Sequence, residues 1–73
     1  MRLSEFNRAV SAEFGDSFGS ALVRDLVLDA LGNLTAQQAL EAGLPAREVW
    51  LALCLANDVP TSRRHGVGMR EPR

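Results

Sequence analysis

Five residues that resist helix continuation, Gly15, Gly32, Gly43, Pro45 and Pro60, partition the first sixty positions of this chain, and the segments between them carry apolar residues at spacings of three and four. A glycine just past the last apolar residue can take the left-handed conformation that closes a helix, and a proline cannot extend one. The pattern predicts an all-α protein: a compact bundle of about four short helices, followed by a disordered tail.

Each segment carries its own signals. Ser4 is placed to cap a first helix in which Leu3, Phe6, Val10 and Phe14 share a face, and Gly15 ends it. Asp16 or Ser17 caps a second, expected from Phe18 to Leu31, whose rows Phe18-Leu22-Leu26 and Val23-Val27-Ala30-Leu31 make it the longest and most buried. Its Val-Leu-Val-Leu content favours a strand, but Arg24, Asp25 and Asp29 form one polar face only at helical period. Thr35 and Gln38 form a capping box for a short helix to Ala42. Gly43 stops it, Pro45 opens the first turn of a last helix running to Asn57, and Pro60 prevents continuation.

Seventy-three residues support one core, because so short a chain buries only about 60% of its unfolded surface. The organisation read here is a helical domain over residues 1–59 and a flexible basic tail over 60–73. From Thr61 onward too little apolar surface remains to offset about 1–2 kcal/mol of backbone entropy per residue. Residues 1–59 hold four arginines against eight acids, a balance of −4, whereas 60–73 hold Arg63, Arg64, Arg70 and Arg73 against Glu71, a balance of +3. No run of about 18 apolar residues could span a bilayer, and the start lacks a secretory pattern. With Cys54 the single cysteine, a reducing, cytoplasmic setting fits.

The residues also carry a resemblance. Met1-Arg2-Leu3-Ser4 with Phe6, then Glu13-Phe14-Gly15, Arg24-Asp25 with Val27-Leu28, Leu31-Gly32, Thr35 with Ala39-Leu40 and Ala42-Gly43, Val49-Trp50 with Ala52 and Cys54, Val59-Pro60 and Arg63-Arg64 resemble a family of short actinobacterial proteins. The resemblance covers about residues 1–64 and points to a domain of unknown function. Members of that family are often encoded near the recombinase that coats single-stranded DNA and its regulator, which implies a setting in DNA recombination or repair by association. It transfers no catalytic or binding residue. Where the family pattern has a basic residue after the tryptophan and an acidic one after the cysteine, this chain has Leu51 and Leu55.

Catalysis is not expected. Residues 1–59 contain no His, Lys or Tyr, which removes the usual general bases, Schiff-base amines and phenolic acids. Asp25 and Asp29, a turn apart on the expected helix, read as a solvated face rather than a cation site. Cys54, a turn after Trp50 in an apolar helix, has no cation to stabilise a thiolate, and both residues read as core. His65 stands alone in the tail. No cofactor or metal is implied.

Two binding surfaces stand out. Leu51 and Leu55 lie on one face of the last helix, opposite Val49 and Leu53, and would mark a docking face for a protein partner or a homodimer if left uncovered. Alternatively, Ala39, Gly43, Leu44 and Val49 hold the spacing of a helix-turn-helix. A reading helix there would offer Ala46, Arg47, Trp50 and Leu51 to a groove, with Arg63, Arg64, Arg70 and Arg73 free to touch phosphate or an acidic partner. Gln38 at a normally apolar position, Glu48 beside Arg47 and the acidic body all oppose that use. The leading expectation is therefore a helical protein-interaction module, with a small nucleic-acid-binding protein as the alternative.

Overall fold

A computed structural model describes residues 1–60 and Ser62. In chain order these form α1 (Leu3–Phe14), α2 (Asp16–Asp25), β1 (Val27–Leu28), a 3-10 turn (Asp29–Leu31), β2 (Leu34–Thr35), α3 (Ala36–Glu41) and α4 (Ala46–Ala56). The fold is mostly helical, with four α-helices among the described residues, and the strict all-α expectation gives way to a small two-stranded antiparallel sheet. Apart from Pro60 and Ser62, the tail expected over 60–73 lies outside the described residues.

The helix expected over 18–31 ends early, at Asp25. Leu26 is extended, and Val27 and Leu28 pair with Thr35 and Leu34. The chain reverses through the 3-10 turn and two consecutive left-handed residues, Gly32 (φ 72°) and Asn33 (φ 67°), with the Asn33 N–H donating to the Leu28 carbonyl at 3.1 Å. Alternation then replaces helical spacing: Leu28 enters the core while Val27 faces outward. The ladder is closed by Leu34 and Thr35, beyond the end of the expected helix, so the spacing within 18–31 does not show it. Nor is α2 the longest or most buried helix, since α1 is longer and Gly19 is the buried residue of α2.

The core forms where α1, α3 and α4 meet. Phe6, Ala9 and Val10 of α1, Leu28, Ala36 and Ala39 of α3, and Val49, Trp50, Leu53 and Cys54 of α4 are all buried. Trp50 sits among the aromatics, edge-on to Phe6 at 6.5 Å and to Phe14 at 6.3 Å between centroids. The α1–α2 crossing is set by Gly19. A Cβ there would lie 2.7 Å from Val10 Cγ1, so only glycine lets the two helices approach this closely.

Helix ends follow local chemistry. At α1 the Arg2 backbone N–H donates to the Glu5 carboxylate at 2.7 Å, so the cap is Arg2 rather than Ser4; a guanidinium has no acceptor and cannot return the bond. The Thr35–Gln38 box is complete: Gln38 N–H donates to Thr35 Oγ1 at 3.1 Å, and Thr35 N–H donates to Gln38 Oε1 at 3.0 Å. Thr35 thus ends β2 and starts α3 in one residue. Pro45 caps α4 one position before the expected first turn.

Helices α3 and α4 close with the same hydrogen-bond pattern. After α3, Leu44 N–H donates to the Ala39 carbonyl and Gly43 N–H to that of Leu40; after α4, Val59 N–H donates to Cys54 and Asp58 N–H to Leu55. The left-handed position is glycine in the first case (φ 94°) and aspartate in the second (φ 56°). Val59 is buried against the helix it terminates.

Candidate functional site

The hairpin and α4 together build an apolar exposed face. On α4, Val49 and Leu53 are fully buried, and the residues opposite them, Leu51 and Leu55, are half-buried and 60% exposed respectively. The opposition read from helical period therefore holds. The 3-10 turn, not the first helix, lies beside these leucines: Leu31, Ala30 and Leu51 line one concavity of about 360 Å³ that includes Glu48. A second, of about 200 Å³, runs from Val27 and Asp29 to Ala56. The two share Ala30, Ala52 and Leu55, so they form one continuous trough with Val27, itself 53% exposed, at its far end. Two exposed carboxylates, Asp29 and Glu48, stand along it.

Sequence reasoning found the α4 side of this trough and missed the hairpin side. Helical spacing puts Val27, Ala30 and Leu31 on a buried row of a long helix, whereas the structure puts them in the hairpin. The overlooked signal was the Gly32-Asn33 pair, which supplies two adjacent left-handed positions in front of Leu34 and Thr35.

The other expected site residues are distributed as follows. Arg47 is exposed on α4 next to Glu48. Trp50, which a DNA-reading α4 would present to a groove, is 1% exposed and packed in the core, so that surface is Arg47, Glu48, Leu51 and Leu55. Ala39 and Val49 are fully buried across the Gly43-Leu44 turn, so the small-residue spacing does bring α3 and α4 into contact. Arg63, Arg64, Arg70, Arg73 and His65 lie outside the described residues.

Charged groups elsewhere are solvated. Asp25 and Asp29 do not share a helix face; Arg24 Nε and Nη2 donate to the Asp25 carboxylate at 3.0 and 2.9 Å, which holds that carboxyl below its ordinary range and raises the guanidinium. Both side chains are exposed, so the pair adds little to stability. A mixed cleft of about 480 Å³ between α1 and α2 is lined by Asn7, Ser11, Asp16 and Ser20 together with Val10 and Val23, and the Ser11 hydroxyl donates to the Asp16 carboxylate. Cys54 is fully buried. Among the described residues no three His, Cys, Asp or Glu side chains converge to hold a metal ion, and no helix is long and apolar enough to cross a membrane.

Fold and surface define a small, mostly helical protein with a helix–hairpin core and one concave apolar face. The chain belongs to the family described as "Protein of unknown function (DUF3046)", whose model matches residues 1–62. That span takes in every helix and strand described above. No curated protein and no solved structure matches the chain.

Proposed function

We propose that this protein is a non-catalytic interaction module that docks a protein partner on the trough between its hairpin and α4. The carrying observation is contiguity: Val27, Ala30, Leu31, Leu51 and Leu55 come from the hairpin and from α4, yet line one concave surface on which Val27 and Leu55 are mostly exposed and Leu31 and Leu51 half-buried. Single exposed leucines are ordinary on any protein, whereas a continuous apolar trough with a charged rim has the anatomy of a binding surface. The gene-neighbour association of the resembled family makes the single-strand-coating recombinase and its regulator the first partners to test, which places the module in the regulation of DNA recombination or repair.

The test is a paired substitution. Leu51→Arg with Leu55→Glu should leave the helical circular-dichroism spectrum intact and shift stability by less than about 1 kcal/mol, because neither side chain is fully buried. Retention of either candidate partner by the immobilised full chain should disappear in the double variant. Equal retention by both forms sinks the reading.

A second reading rests on the close α3–turn–α4 packing and the exposed Arg47. It makes the protein a small nucleic-acid binder that combines α4 with the tail arginines. Duplex binding in a low-salt gel shift, weakened by Arg47→Ala, supports it; no shift at low salt eliminates it.

A further inference from the structure

We propose that the trough has an occupant within the same chain: the basic segment 63–73, which competes with the external partner. This rests on the docking reading above and adds its regulation. Three observations converge. The chain continues directly from α4, one wall of the trough, through a turn in which Asp58 N–H is bonded to the Leu55 carbonyl and Val59 N–H to that of Cys54. Val59 follows Leu55 by four positions, and the five residue steps from Ser62 to Val67 can span up to roughly 17 Å, while Leu51 lies about 6 Å along α4 from Leu55.

Charge is complementary. The trough carries the carboxylates Asp29 and Glu48 on a body with a balance of −4, and the segment from position 60 carries +3. Its apolar residues are spaced to match: Val67 and Met69 are two apart, which puts both on one side of an extended strand, with Arg63 and Arg64 before them and Arg70 after. A second copy of the protein fits less well. An isologous contact through this trough would gather two Asp29 and two Glu48 carboxylates around one seam.

Tethering makes weak contacts sufficient. A short covalent tether gives an effective concentration of about millimolar, so a segment with only millimolar intrinsic affinity occupies the trough about half the time. An external partner would then bind with about half the affinity it would show for an open trough.

Paramagnetic labelling of the full chain tests this. With Cys54 fully buried, a nitroxide can be placed selectively at Pro72→Cys, and its broadening of amide and methyl signals mapped. Broadening should concentrate at Val27, Ala30, Leu51 and Leu55, fall at about 0.5 M salt, where charge attraction is screened over a few ångströms, and fall again in Val67→Ser/Met69→Ser or Asp29→Arg/Glu48→Arg backgrounds. Broadening spread evenly over the surface overturns the proposal. So does broadening that appears only when labelled and isotope-enriched molecules are mixed, which would assign the trough to a second copy. The two readings fail separately: loss of partner retention in Leu51→Arg/Leu55→Glu with no focused broadening removes the tail alone, and focused broadening with unchanged retention removes the external docking site alone.

Discussion

Helices α2 and α4 are of nearly equal length and both carry large apolar residues a turn apart, Phe18 and Leu22 in the one and Val49 and Leu53 in the other, yet they are buried very differently. Helix α4 buries Val49, Trp50, Ala52, Leu53 and Cys54, while α2 buries Gly19. Phe18, the largest side chain of α2, stays 59% exposed, with its ring edge-on to Phe14 at 6.4 Å between centroids. What separates them is the neighbour each meets. Helix α4 is enclosed by α1, α3 and the hairpin turn, so large side chains fill the space between elements. Helix α2 lies directly on α1 through a glycine, and backbone proximity takes the place of side-chain volume. Apolar periodicity tells which face of a helix is apolar, but not how far its neighbour stands.

The comparison can be broken at either helix. Trp50→Ala removes the side chain on which Phe6 and Phe14 converge, and should destabilise the protein by about 3–5 kcal/mol, enough to abolish cooperative thermal unfolding in so small a domain. A retained cooperative transition near the wild-type midpoint would contradict the central role given to α4. Gly19→Ala should destabilise by about 1–3 kcal/mol in urea titration despite the better helix propensity of alanine, because the new methyl meets both Val10 Cγ1 and the Val10 carbonyl. A gain in stability would mean that α1 and α2 can separate freely, and that the contact is incidental.

Smaller effects sharpen it further. Phe18→Ala, although it deletes the bulkiest residue of α2, should lower stability by no more than about 1 kcal/mol, since most of the ring is already in water. Asp58→Asn should raise it by about 0.5 kcal/mol: asparagine tolerates the left-handed conformation equally well, and the change removes a negative charge from the carbonyl end of α4. The gain should shrink with added salt; a salt-independent gain would assign it to the turn rather than to the helix dipole.

Legibility in the sequence followed the range of the interactions. The Thr35–Gln38 box, the Gly43 stop and the extent of α4 to within one residue at its start were readable because each is satisfied within four positions. The same holds for the opposition of Leu51 and Leu55 to Val49 and Leu53, a matter of helical period alone. Half of the candidate site was therefore visible. The other half, Val27, Ala30 and Leu31, was assigned to the wrong element, since the apolar run 26–28 satisfies helical and extended patterns alike and is decided by pairing with Leu34 and Thr35.

By itself, then, the sequence determined where α1, α3 and α4 stop, which face of α4 is apolar, and that residues 1–59 are acidic beside a basic end. Tertiary structure decided that Val27 and Leu28 form a strand, that Gly19 is the α1–α2 contact, and that hairpin and α4 meet along one exposed trough. The division has a physical cause. Helical hydrogen bonds and caps close within a single turn and are written locally, whereas a β-ladder and a helix crossing depend on which other segment supplies the opposing surface and how close it comes.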